Sequence, residues 1–124
     1  MSAQASAGEL VARCFAARTA AHIAHLRTRS YSAHKALEEF YDGIVDHADA
    51  FAEVYQGHFG AIEAFPNLTP PTVHTDSVQV IRELSEWITT NRNHLSKGRN
   101  DLGNILDEAT ALCGRSLYKL TMLK

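Results

Sequence analysis

Histidine and acidic side chains that could bind a metal ion recur at helical spacing between residues 22 and 53. Viewed down a helix axis at ~100° per residue, Glu38, Asp49 and Glu53 fall within roughly 100° of His34. Carboxylate oxygens together with imidazole nitrogens suit iron, manganese or zinc, whereas a solvated acidic face is the plainer interpretation of the same pattern. This set, called the acidic stripe below, consists of His34, Glu38, Asp42, Asp46, Asp49 and Glu53.

Two features of the acidic stripe favour metal binding over simple solvation. No lysine or arginine lies within it to offset the carboxylates at i+4, and the only lysine or arginine of this helix is Lys35, near its start. On the preceding helix, His22 and His25 lie close to a short turn, so antiparallel packing brings one of them level with the segment from His34 to Glu38. No cysteine lies nearby, which disfavours a structural zinc site.

His34 and Asp49 cannot hold the same metal ion within one chain, because 15 residues of helix span roughly 22 Å. Two copies of this helix packed antiparallel about a two-fold axis would bring His34 of one copy level with Asp49 and Glu53 of the other. We therefore expect a homo-oligomer whose two-fold interface carries two identical sites.

The intervals between five residues of segment 22–57 resemble the metal-site region of Dps proteins, small relatives of ferritin with ferroxidase centres between subunits. The matching residues are His22, a second histidine 12 residues later at His34, an acid four residues on at Glu38, and the pair Asp49 and Glu53, which begins 15 residues after His34. Most of that family has aspartate where this chain has Glu38. The whole chain resembles uncharacterised Dps-like proteins encoded by tailed phages.

This resemblance implies an iron-binding protein that oxidises Fe(II), either for storage or for protection against oxidative stress. Iron is the expected metal, and manganese or zinc would suit the same donors. The expected assembly is a dimer or a Dps-like dodecamer. A second function is left open, a structural or interaction protein that kept the bundle and lost turnover. The implied metal ligands are His22, His34, Glu38, Asp49 and Glu53, with His25 as the alternative to His22 and no catalytic residue beyond these ligands.

Three departures from the Dps pattern bear on these expectations. The chain has no lysine or arginine before Arg13, so it lacks the basic tail with which many Dps proteins hold DNA. Pro66, Pro70 and Pro71 lie where Dps proteins usually have a short helix, which counts against a twelve-subunit cage. The Glu-x-x-His motif of ferritin helices is absent from the sequence, so a metal site inside one bundle is disfavoured.

Four helical segments predict an all-α, ferritin-like four-helix bundle in a single domain covering residues 1–124, with 1–7 as a flexible tail. The helices are expected at about 8–28, at about 32–56, from just after residue 75 or 76, and from near 93 or 96 to about 123. Two short connections, the second around 91–93, force antiparallel hairpins. The crossover from about Gly57, the expected cap of the second helix, to His74 is long enough to leave the second and third helices parallel.

Composition and charge exclude several classes of protein. The 124 residues carry a net charge of −2, which gives no electrostatic attraction to nucleic acid, so we expect little or no DNA binding. No apolar run approaches the ~20 residues needed to span a bilayer, and the N-terminus lacks a signal-peptide pattern. We expect a cytoplasmic location, in the host cell if a phage encodes the chain. Cys14 and Cys113 are expected to be buried, reduced thiols.

Overall fold

The computed structural model describes residues 5–68 and 76–124, and its regular structure there is entirely α-helical. The four helices are α1 (Ala7–Arg27), α2 (Tyr31–Phe59), α3 (Ser77–Ser96) and α4 (Asn100–Met122). No helix in these two ranges is both long and apolar enough to cross a membrane. The expected tail of residues 1–7 lies largely outside the described residues, which begin just before Ser6, the N-cap of α1.

Side-chain caps define where three of the helices begin. The Ser6 hydroxyl accepts a hydrogen bond from the backbone N–H of Glu9 at the start of α1. In the same way, Ser30 caps α2 by accepting from Ala33, and Asp76 caps α3 by accepting from Val78. Each cap satisfies one of the N–H groups that lack an intrahelical partner in the first turn.

Packing places α1 beside α2 and α3, and α4 beside α2 and α3, so that α2 and α3 lie on one diagonal of the bundle. Ion pairs from His58 to Asp101 and from Lys119 to Glu39 join opposite ends of α2 and α4, which are therefore antiparallel. The Arg92–Asp107 ion pair joins the end of α3 to the first half of α4.

The direction of α3 follows from its contacts with α1. One groove is lined by Ala17 and Leu84, and another, at the far end of the bundle, by Ala7, Tyr55 and Leu95. The start of α1 thus lies beside the ends of both α2 and α3, so α2 and α3 are parallel. The predicted fold class, an all-α four-helix bundle with one long crossover between the second and third helices, is confirmed.

The first part of the crossover packs along α1 toward the α1–α2 turn. Gln56 accepts a hydrogen bond from the backbone of Ile62. The carbonyl of Ala64 then lies so close to Gly8 that there is no room for a Cβ atom at residue 8. Farther along, Phe65 and Leu68 line a groove with Phe15 and neighbouring residues of α1. His74, the expected end of the crossover, lies outside the described residues.

Three predicted boundaries were wrong. Helix α4 does not start near residue 93 or 96 but at Asn100, because α3 occupies the chain as far as Ser96. Helix α2 does not stop at Gly57 but continues to Phe59, and Gly60, with φ of 91°, is its C-cap. Helix α3 does not end around Asn91–Asn93, because Leu95 and Ser96 are buried and extend it by another turn. The chain turns instead at Lys97 and Gly98, whose φ angles of 51° and 77° are left-handed.

The two cysteines lie in the core on α1 and α4, which form the other diagonal of the bundle. Both Cys14 and Cys113 are free and buried, and burial raises the pKa of each thiol to about 12. No Cα atom of α1 lies within 8 Å of one in α4, whereas a disulfide needs a Cα–Cα distance of at most ~7 Å. The prediction of buried, reduced thiols is therefore confirmed in this structure.

Candidate metal centre

The α1–α2 hairpin brings three histidines together, and His22, His25 and His34 are called the histidine cluster below. Because the turn between the helices has only three residues, 28–30, the end of α1 lies level with the start of α2. The rings of His25 and His34 stack with their centroids 3.6 Å apart and their planes at 19°. The register expected from the sequence, with a first-helix histidine level with His34, is the one observed.

Each ring of the stacked pair is hydrogen-bonded to the backbone of the other residue. His25 Nδ1 donates to the carbonyl oxygen of His34 at 2.7 Å, and His34 Nδ1 donates to the carbonyl oxygen of His25 at 2.9 Å. The Nδ1 atoms must carry the protons, because a carbonyl oxygen can only accept. In a neutral ring this leaves the lone pair on Nε2, which is the arrangement that a metal-binding histidine needs.

The carbonyl of His25 belongs to the last turn of α1, where carbonyl groups lack a partner within the helix. The His34 ring supplies the missing donor. The same hydrogen bond therefore satisfies a carbonyl at the end of α1 and fixes the orientation of the His34 ring.

His22 lies one turn earlier and packs against a different ring. It stacks on Tyr41 with centroids 4.2 Å apart and meets His25 edge-on at 5.9 Å. Tyr41 is buried, as expected of a core aromatic residue. Burial raises the pKa of its phenol, and the nearby carboxylates of Glu38 and Asp42 raise it further. Tyr41 thus stays protonated and supports the histidine cluster from α2, a contact that helical periodicity alone could not identify.

Glu38 has a partner that the sequence pattern did not assign to it. Lys35 Nζ donates to Glu38 Oε2 at 3.2 Å, and this bond is the main cause of the lowered pKa of Glu38. The adjacent Glu39 forms an ion pair with Lys119 of α4. Lys35 therefore offsets the charge of Glu38 at the hairpin end of the acidic stripe, and a metal ion at Glu38 would have to displace it.

Asp49 and Glu53 lie on the other half of α2, away from the histidine cluster. Both are exposed, and neither forms an ion pair or hydrogen bond within the described ranges 5–68 and 76–124. No three histidine, cysteine or acidic residues in those ranges come close enough to hold a metal ion. One chain places His25 and His34 in contact, with Glu38 one turn beyond His34 on α2, and Asp49 and Glu53 lie farther along the same helix.

An open groove between α1 and α2 separates the two halves of the candidate site. Phe15, which is 44% exposed, and Arg18 line the α1 side of this groove. Tyr41 lines the α2 side together with Asp42 and Asp46 of the acidic stripe. Helices α3 and α4 pack on other faces of the hairpin. Asp42, Asp46, Asp49 and Glu53 are thus exposed to solvent in the single chain, whereas His22, His34 and Glu38 are partly buried.

Comparison with known proteins identifies one matching protein family. The model of a family of unknown function, DUF5856, matches residues 25–120. The chain belongs to this family. No curated protein and no solved structure matches it. The region shared with DUF5856 contains His25, His34 and Glu38 as well as Asp49 and Glu53, and it leaves His22 outside.

Proposed function

We propose that the chain is a Dps-like iron-binding protein that oxidises Fe(II) at a site shared between two copies. The observation that supports this most is the division of the donors along α2. His34, with Nδ1 bonded and the Nε2 lone pair left free, lies near Glu38 at one end. The unpaired carboxylates of Asp49 and Glu53 lie roughly 22 Å and 28 Å from His34 along the same helix.

A second copy supplies what one chain lacks. If two α2 helices pack antiparallel about a two-fold axis, each histidine end meets the carboxylate end of the partner, and two identical sites form. The open face between α1 and α2 leaves room for such packing. Dimer and dodecamer both contain this two-fold contact, so the proposal requires only the dimer.

The chemistry of the donor set fits iron as the substrate. Carboxylate oxygens are hard ligands that favour Fe(III) over Fe(II), while imidazole binds either ion. Asp49 and Glu53 would be the main ligands, Glu38 a bridging or second-site ligand, and His22 and His34 the nitrogen donors. Manganese or zinc would fit the same donors, and oxygen or peroxide would accept the electrons from Fe(II).

One observation favours the second function, a structural or interaction protein that does not oxidise iron. Lys35 already neutralises Glu38, and a cation held there competes with a metal ion. The two functions differ in whether the purified protein oxidises Fe(II), so one assay separates them.

The decisive experiment replaces Asp49 with Asn and Glu53 with Gln in one chain. These carboxamides keep the side-chain volume but remove the charge, so Fe(II) oxidation should be lost while the helical circular dichroism spectrum is unchanged. A matched control replaces Glu83 and Glu86 of α3 with Gln, which removes two exposed acids elsewhere and should leave oxidation intact. Oxidation at the parent rate by the Asp49/Glu53 variant would refute the proposal.

Co-expression tests the sharing of the site between chains. A His34→Ala chain and the Asp49→Asn/Glu53→Gln chain should each be inactive alone, because each spoils both sites of its homodimer. In a heterodimer one site keeps its histidine and both acids, so random pairing should restore about one quarter of the parent activity. No recovery with heterodimers present would indicate that each site is built within one chain.

A further inference from the structure

We propose that His25 is a positioning residue that holds the His34 ring for metal binding, and that it is not itself a ligand in place of His22. The inference rests on the proposed function for the role of His34, and it assigns a role to a side chain that the ligand spacing leaves unexplained. Its basis is the reciprocal contact between the two residues across the hairpin.

The packing around His25 leaves it poorly placed to bind a metal ion. Its side chain is only 7% exposed, with His34 stacked on it at 3.6 Å and Tyr41 meeting it edge-on at 5.3 Å. His22 approaches from another direction at 5.9 Å. An iron ion needs several further ligands around it, and rings on these sides occupy the space that they would need.

The same packing constrains His34 in the two ways that a metal ligand requires. The carbonyl of His25 accepts from His34 Nδ1 and so fixes which nitrogen carries the proton. The His25 ring covers the His34 ring and is itself anchored to the His34 carbonyl, so rotation of His34 about its side-chain bonds is restricted. Outer groups that fix a ligating histidine in this way typically change metal affinity by about 10- to 100-fold when removed.

The test compares His25→Ala with His25→Phe in the full-length protein. Alanine removes the stacking ring and its hydrogen bond, whereas phenylalanine keeps an aromatic ring against His34 and loses only the bond. His94→Ala is the matched control, because His94 is an exposed histidine near the other end of the bundle.

Two readouts are measured for each protein. Long-range nitrogen–proton NMR of the imidazoles reports the tautomer of His34 without any metal. Calorimetric titration with Co(II), which binds imidazole and carboxylate donors without being oxidised by air in solution, reports affinity. The backbone carbonyl at residue 25 remains in both variants, so a change of tautomer reports loss of the stacking that keeps the His34 ring against that carbonyl. We expect the Nδ1–H form of His34 in the parent and in His25→Phe, and a mixture of tautomers in His25→Ala. Co(II) binding should weaken by about 10- to 100-fold in His25→Ala and by less in His25→Phe.

The outcomes separate this inference from the proposed function. A parent tautomer and a parent Co(II) affinity in His25→Ala would refute the positioning role and leave the metal site standing. Absence of Co(II) binding by the parent, together with a changed His34 tautomer in His25→Ala, would refute the metal site and retain the positioning role. If His25→Ala does not fold, a tautomer mixture in the folded His25→Phe protein would show that the ring contact alone does not hold His34 and would overturn the role of stacking.

Discussion

Asp101 is the acid with the most polar partners at the end of the bundle where α2 finishes and α4 begins. Arg99 donates to both of its oxygens at 3.2 Å, His58 Nε2 lies 2.9 Å from Oδ2, and the backbone of Leu102 donates at 2.8 Å. These bonds, with Arg99 contributing most and His58 next, lower the pKa of Asp101 to about 2. The ionised carboxylate therefore links α2, the turn before α4, and α4 itself.

The lowered pKa predicts how the stability contributed by Asp101 changes with pH. Because the pKa is below its unfolded value of ~3.9, the contribution is present above about pH 4 and is lost as the pH falls toward 2. Asp101→Asn should thus lower the free energy of unfolding at pH 7, and its difference from the parent should shrink between pH 4 and pH 2. Urea denaturation at several pH values measures this.

Glu86→Gln is the control for that series, because Glu86 is an exposed acid without an ion pair in the described part of the chain. It should change stability little at any pH. A deficit in Asp101→Asn that stays constant from pH 6 to pH 2 would show that the carboxylate charge does not account for it.

At the scale of helices, sequence reasoning succeeded where apolar spacing and short turns act together. The turn after Arg27 is so short that the number of residues between His25 and His34 is nearly enough to predict that the two lie side by side. The end of α3 was predicted too early because Asn91 and Asn93 are typical turn residues. In the structure, contacts of Asn91 and of the later residue Leu95 continue the helix past them. Asn91 bonds back to the Trp87 carbonyl, and burial of Leu95 outweighs the weak helix propensity of the preceding residues.

Close packing of the crossover on α1 gives a prediction for Gly8. A Cβ atom at residue 8 would clash with the backbone carbonyl of Ala64, which cannot rotate away as a side chain could. Gly8→Ala should therefore lower the free energy of unfolding by about 1–3 kcal/mol, the usual cost of overpacking. Thermal or urea denaturation of the purified variant measures it.

Gly114→Ala is the matched control in the interior of α4. No atom would lie within 4 Å of the added Cβ, so the intrinsic helix preference for alanine should stabilise the protein by up to ~1 kcal/mol. Stabilisation by both substitutions would mean that the segment around Ala64 does not pack on α1 in solution.

At the scale of the whole molecule, the sequence could predict the bundle but only part of the candidate site. The histidine cluster and Glu38 are local to one hairpin, so spacing alone located them. The proposed approach of Asp49 and Glu53 to those histidines depends on how two chains pack together, and the spacing within one chain does not determine that packing. The Lys35–Glu38 and Lys119–Glu39 pairs were also missed, because side-chain conformation and the α2–α4 packing determine them.

Charge predicts little or no binding to DNA. The net charge is −2, and neutralisation of phosphates by lysine and arginine supplies most non-specific affinity. A mobility-shift assay with micromolar protein at moderate salt should show free DNA only. Retardation that weakens as salt is raised would contradict this, and loss of retardation on replacing Arg29 and Arg99 with Ala would then trace it to local basic patches in an assembly.

The burial of Cys14 and Cys113 has a consequence for how the folded chain responds to oxidants. With pKa values of about 12, only about one thiol in 10⁵ is ionised at pH 7, against a few per cent for an ordinary cysteine, and the thiolate is the form that oxidants attack. The helices that carry them stay too far apart to be joined by a disulfide. The two thiols should therefore be unreactive in the folded chain. Sulfenic acid or mixed disulfides should form only on molecules that have already unfolded.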